Sequence, residues 1–147
     1  MKTLNDVLIT LTTSKNVAIV GKESSGKTHA IKEIIRELSL HNTVLVLSNH
    51  KEIKAAAFRP DNVDSLYKPK DCRIVGLEYL DTPCDYIFID EFCDNENEIM
   101  QNVDKKIAFV KTIKDEPIED LLKTFDSVIE VSKDELGNAL FLNILNA

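Results

Sequence analysis

Short apolar runs alternate with helix-patterned segments along this 147-residue chain, and that order predicts an α/β protein wound on a mostly parallel sheet. Three observations carry the expectation. Residues 16–20 (NVAIV), 43–48 (TVLVLS), 86–90 (YIFID) and 107–112 (IAFVKT) are largely unbroken in apolar residues, the pattern of strands buried on both faces. Between the first two runs, Ile31, Ile34, Ile35 and Leu38 recur at the spacing of one helix face. Near the end, residues 128–131 and 139–144 flank Asp134-Glu135-Leu136-Gly137-Asn138, which predicts a closing hairpin.

In chain order, residues 3–11 read as a short opening helix and residues 16–20 as a buried strand. A helix follows from Lys27 to Leu40, then a strand at 43–48 and a weaker helix at 51–58. The stretch from Arg59 to Asp85 is mixed and carries three of the four prolines. One short strand is expected there at 73–75 (RIV), and Lys68 and Lys70 beside Pro69 read as a solvated loop. Residues 86–90 form a strand that ends on acids, and 96–103 a helix. Residues 107–112 are the next strand, and 117–125 a helix with proline in its first turn.

Length and composition bound the rest. A chain of this size holds one compact domain, residues 1–147, with a substantial core. Hydrophobic residues make up 44% and charged residues 29%, the balance of a globular chain and not of a disordered one. The formal charge of −7 gives no overall attraction for nucleic acid or anionic lipid, although a local basic patch remains compatible with it. The apolar runs are too short to span a bilayer, so no membrane insertion is expected. An early acid and the lack of a small-residue cleavage site argue against a secretory leader. The three cysteines (Cys72, Cys84, Cys93) form no C-x-x-C pair, which points to reduced thiols and a cytoplasmic location. The histidines do not sit at zinc-ligand spacing from them.

The first chemical motif is Gly21-Lys22-Glu23-Ser24-Ser25-Gly26-Lys27-Thr28, which matches G-x-x-x-x-G-K-[ST] without deviation. A chain that wraps a triphosphate must curl tightly and present backbone N–H groups without side chains in the way, and Gly21 and Gly26 permit that. Lys27 adds a point charge against the outer phosphates, Thr28 offers a hydroxyl to Mg²⁺, and the following helix points its positive end at the anion. His29 follows the loop, near the place expected for an α-phosphate. The alternative reading is a Ser/Gly-rich turn that only caps a helix, and the strand before and helix after the loop speak against it.

The second motif is the strand ending in Asp90-Glu91. In an open α/β sheet its tip arrives beside the phosphate loop. Asp90 is then placed to hold Mg²⁺, through water, and Glu91 to polarise the water that attacks a γ-phosphate. From Asp81 to Asp104 the chain carries eight acids and no Lys or Arg, a solvated face for the most part. Its negative field disfavours a polyphosphate unless metal and Lys27 offset it, so Mg²⁺ dependence follows. The strand 107–112 is expected between the loop strand and the Asp90 strand, with Thr112, or Lys111 beside it, reaching the γ-phosphate or the lytic water.

These motifs resemble those of the P-loop ATPases with an added catalytic glutamate, the division of RecA-like, AAA+ and packaging or secretion motors. Glu23-Ser24-Ser25-Gly26-Lys27-Thr28 is similar to the loop of RecA-type recombinases. Phe125-Asp126-Ser127-Val128-Ile129-Glu130-Val131, with Gly137 and Ile144, resembles the last strands of secretion and pilus-retraction ATPases. The stretch from Asp90 to Glu96 resembles the acidic segment of that family, and packaging ATPases match it equally well. Lys111-Thr112-Ile113-Lys114 falls at the family's histidine box, where this chain has no histidine. The resemblance implies a three-layer RecA-like fold with a mostly parallel sheet of about five strands and a C-terminal hairpin, the Gly21 strand central and separated from the Asp90 strand by one other. It implies ATP and Mg²⁺ as ligands, with Lys27, Glu91 and Thr112 catalytic. It also implies a homo-oligomer, a ring among the options, that moves or remodels nucleic acid or a partner protein. Preference for ATP comes from the resemblance, and no Asn-Lys-x-Asp guanine-reading motif is present. An arginine from a neighbouring subunit usually completes such sites. Of Arg36, Arg59 and Arg73, the second and third are the candidates. Two other classes stay open: a nucleotide or small-metabolite kinase, and an ATP-gated adaptor or loader without turnover.

Overall fold

The computed structural model describes residues 1–50, 53–91 and 93–147. Helix α1 (Leu4–Thr13) is set by a capping box in which Thr3 and Asp6 bond each other's backbone N–H. Strand β1 (Asn16–Gly21) leads into α2 (Lys27–Leu38), then β2 (Val44–Ser48), the short α3 (Ile53–Ala56), β3 (Val63–Tyr67), β4 (Tyr86–Ile89), α4 (Glu96–Asn102), β5 (Lys106–Thr112), β6 (Ser127–Lys133) and β7 (Ala139–Asn146). The seven strands form one sheet in the order β3-β2-β4-β5-β1-β6-β7. Only β7 runs antiparallel to its neighbour, as the hairpin with β6 requires. The sheet is thus mostly parallel, as expected, with β5 between β1 and β4.

Alternation along each strand divides the core in two. Val17, Ile19, Val46, Phe88 and Val110 pack with Val7, Leu11, Ile31, Ile35 and Ile53, the buried faces of α1, α2 and α3. Ala18, Val20, Leu45, Ile87 and Phe109 pack on the other face with Leu80, Ile99 and Phe125. Both faces are covered, which is why the central strands read as apolar runs and not as alternating ones.

Two expectations need correction. Residues 73–75 are not a strand; the strand of that region is β3, ten residues earlier. It lies at the sheet edge, with Val63 buried and Asp64, Ser65, Leu66 and Tyr67 exposed, so it lacks the apolar run that would announce it. Val75 instead bonds the Asn95 side chain, its N–H donating to Oδ1 at 2.9 Å and its carbonyl accepting from Nδ2 at 2.7 Å. Residues 117–125 form a 3₁₀ helix (Ile118–Lys123) and not an α-helix. Asp120 N–H donates to Pro117 O and Thr124 N–H to Leu121 O, the tighter i→i+3 pattern, and the segment ends with Phe125 buried against Phe109 at 5.6 Å between ring centroids. The seven strands are compatible with the expected sheet of about five and its closing hairpin, whose second arm is β7. Of the helix expected at 51–58, Lys51 and Glu52 lie outside the described residues.

Candidate functional site

β1 ends at Gly21, and the chain turns through Ser24 (φ 60) and Gly26 (φ 81) before α2 begins. A Cβ on Gly21 would stand 2.3 Å from Ser25 Oγ and 3.0 Å from the Val131 carbonyl oxygen, so the turn closes only with glycine there. At Gly26 the left-handed backbone strains any other residue, and a Cβ there would stand 3.1 Å from the Lys133 Cβ. Ser25 N–H donates to Lys22 O at 3.1 Å, which fixes the curl. No side chain caps α2, so its first N–H groups and the positive end of its dipole are left for a ligand. Ser25 Oγ is buried without a hydrogen-bond partner among the described residues.

The tips of β1, β2, β4 and β5 meet at this end of the sheet around a cleft of about 780 Å³. Lys27 is buried, and its Nζ donates to Lys22 O at 3.0 Å and lies 3.2 Å from Glu91 Oε1. Asp90 accepts from Ser48 Oγ at 2.8 Å and from the Glu91 N–H at 3.0 Å, so both its oxygens are oriented. Thr28 Oγ1 lies 3.2 Å from His50 Nε2, and that nitrogen is 3.8 Å from Asp90 Oδ2. Thr112 pairs in register with Gly21 and is exposed at the cleft wall, and Lys111 beside it forms an ion pair with Glu96.

The structure therefore brings Glu23, Ser24, Ser25, Gly26, Lys27, Thr28, Asp90, Glu91 and Thr112 to one cleft. Gly21 shapes the turn beneath it, and Lys22 contributes its carbonyl to Lys27. His29 is turned away; its ring sits 3.5 Å from Glu33, one helix turn on. Arg59 lies off the cleft, and Arg36 stacks on the Phe58 ring at 4.6 Å. Arg73 lines the cleft and grips Asp94 with two hydrogen bonds of 2.7 and 2.9 Å. That bidentate contact raises the Arg73 guanidinium above its ordinary value and lowers the Asp94 carboxyl below its own.

The acidic run differs from a mere solvated face. Asp90, Glu91, Asp94 and Glu96 line the cleft, and three of them meet a cation brought from elsewhere in the chain: Lys27, Arg73 and Lys111. Cys93 also lines the cleft, but burial pushes its thiol up, away from the reactive thiolate. Phe92 lies outside the described residues.

Three residues of the site escape sequence reasoning. Lys68, expected in a solvated loop, is buried, and its Nζ donates to the Glu91 carbonyl at 2.6 Å. Ser48 and His50 reach Asp90 and Thr28 from the end of β2. The available signal was positional: a strand paired with β4 delivers the residues after its C-terminus beside Asp90.

A curled loop with two constrained glycines, a buried lysine and an orphaned hydroxyl fits a polyphosphate; Thr28 and Asp90 together offer the hydroxyl and carboxylate oxygens that suit Mg²⁺. Among the described residues, no helix is long and apolar enough to cross a membrane.

No protein-family model matches the chain, and no curated protein matches its sequence. Solved structures do match in fold. The VirB11 ATPase of the Brucella suis type IV secretion system, solved with sulphate, superposes with a TM-score of 0.63 at 16% identity over 97% of this chain and 54% of that one. The pilus retraction motor PilT with bound ADP gives a TM-score of 0.62 at 13% identity over 95% of this chain and 51% of that one. The chain thus spans about half the length of the structures it matches. With β5 between the Asp90 strand and the loop strand, and both faces of a mostly parallel sheet covered, the chain has the RecA-like fold of these domains.

Proposed function

We propose that this chain, residues 1–147 acting as one domain, is a Mg²⁺-dependent, cytoplasmic ATPase that works as a homo-oligomeric motor on nucleic acid or a partner protein. The observation that carries the reading is the 3.2 Å approach of Lys27 Nζ to Glu91 Oε1, which brings the phosphate loop and the acidic strand tip to one point. ADP in the similarly folded PilT and sulphate in VirB11 support an anion site in this fold.

In this reading the backbone N–H groups of residues 22–28 cradle the phosphates, and Thr28 and Asp90 hold Mg²⁺, with Ser48 keeping the Asp90 carboxylate in place. The ion, when bound, neutralises charge on the phosphate oxygens. Lys27 turns from Glu91 toward the outer phosphates. The Glu91 carboxylate, relieved of its partner, then accepts a hydrogen bond from a water and holds it for attack. Nucleotide binding and release of the base are the same event, so the ligand-free site is idle. Thr112 and Lys111 flank the position of the γ-phosphate.

Glu91→Gln tests this directly. It is expected to keep ATP binding and abolish turnover, leaving ATP trapped; equal loss of binding and turnover would count against the assignment. A kinase reading has one observation in its favour, the further lysines Lys70 and Lys114 on the cleft wall, which suit a second phosphate group. Phosphate transfer to nucleoside monophosphates would favour it. Bound but unhydrolysed ATP, even in the assembled state, would favour an adaptor.

A further inference from the structure

The imidazole of His50 stands between the two residues that the nucleotide-site reading gives to the cation. Its Nε2 lies 3.2 Å from Thr28 Oγ1 and 3.8 Å from Asp90 Oδ2. Two neighbouring ligands of an octahedral ion at about 2.1 Å are about 3.0 Å apart; the imidazole's 3.2 Å separation from Thr28 is close to that, and its 3.8 Å separation from Asp90 is longer. The placement is built and not incidental. Ser48 Oγ donates to Asp90 Oδ2 at 2.8 Å and accepts the His50 N–H at 3.0 Å, so a single hydroxyl fixes both residues relative to each other. The ring lines the cleft beside the loop and is only 36% exposed. Neither of the other histidines stands there: His29 pairs with Glu33, and His41 lies in the turn between α2 and β2, away from the cleft.

We propose that His50 is a third protein ligand of the cation site, a nitrogen donor that makes it favour a first-row transition divalent ion over Mg²⁺. Mg²⁺ prefers oxygen and binds imidazole poorly, whereas transition divalent ions accept it readily. A site of one hydroxyl, one carboxylate and one imidazole therefore still takes Mg²⁺ but gains more with Mn²⁺. The inference rests on the nucleotide-site reading, since Thr28 and Asp90 are its other two ligands.

The probe is Mn²⁺ with ADP bound to the whole chain, read by pulsed electron paramagnetic resonance. The expected result is a ¹⁴N coupling of a directly bound imidazole, which changes to the ¹⁵N pattern when the histidines are isotopically labelled. His50→Gln should remove it while Mn²⁺·ADP still binds, with Mn²⁺ affinity lowered about tenfold or more and Mg²⁺ affinity nearly unchanged. Bound Mn²⁺·ADP without an imidazole coupling in the native chain would overturn the proposal and leave the nucleotide site standing. A chain that binds neither Mn²⁺·ADP nor Mg²⁺·ADP would overturn both.

Discussion

Glu91 is held from two sides: Lys27 Nζ lies 3.2 Å from its carboxylate, and Lys68 Nζ donates to its backbone carbonyl at 2.6 Å. The second contact acts through the main chain, so it positions the carboxylate without touching a substrate. Lys68→Met removes a charged hydrogen bond worth about 1.5–3 kcal/mol, which predicts turnover lowered on the order of tenfold to hundredfold. ATP affinity should hardly move, and Lys68→Arg should recover part of the rate; a parallel fall of affinity and rate would show a merely structural lysine. The contrast between these residues also marks what the chain discloses about its chemistry. Lys27, Thr28, Asp90 and Glu91 are legible because spacing within one loop and at one strand tip fixes them. Lys68, Ser48 and His50 are not, because their places in the cleft follow from which strand lies beside which, and local spacing carries no such information.

Elements tell the same story one level up. The strands β1, β2, β4 and β5 were readable because burial on both faces forces a continuous apolar run. β3 was not, since an edge strand exposing four of its five residues has no such constraint. The 3₁₀ helix at Ile118–Lys123 carries helix-like apolar spacing, which does not distinguish i→i+3 from i→i+4 hydrogen bonding. The β6–β7 hairpin was legible from its turn, where Gly137 takes φ 85 and Asp134 Oδ1 accepts the N–H groups of Leu136 and Asn138 at 2.9 Å. Those bonds lower the Asp134 carboxyl below its ordinary value of 3.8, and the Thr3 N–H and hydroxyl do the same for Asp6 at the start of α1. A carboxyl depressed in the folded chain stabilises it above the unfolded value, and that contribution is lost as pH falls through the folded value. Stability should therefore decline as pH drops below about 4. Asp134→Asn, followed by denaturant unfolding across this range, should be less stable at neutral pH and show a shallower acid slope. An unaltered slope would mean that the turn is not coupled to folding.

For the whole molecule, the seven strands in the order β3-β2-β4-β5-β1-β6-β7 give a fold similar to that of VirB11 at only 16% identity. Layering asks only for apolar character along the central strands, so quite different sequences can hold the same strand tips together. The mostly parallel sheet, the interposed β5 and the closing hairpin were accessible before any coordinates, whereas the place of the β3 edge was not. The motor reading adds an expectation about assembly: sedimentation with Mg²⁺ and a non-hydrolysable ATP analogue should give a larger species than the chain alone, and DNA or a partner protein should raise turnover. A chain that remains monomeric under all these conditions would confine the activity to a single subunit. Central to the account is that the loop from Gly21 to Thr28 binds ATP with a divalent cation, and calorimetric titration of ATP into the native chain and into Lys27→Ala tests it most directly. The native chain should bind in the presence of Mg²⁺ and release on chelation, with Lys27→Ala weaker by more than about tenfold, the loss of one charge-assisted contact of ~1.5–3 kcal/mol. No heat of binding in the native chain, or equal affinity in the folded variant, would contradict it.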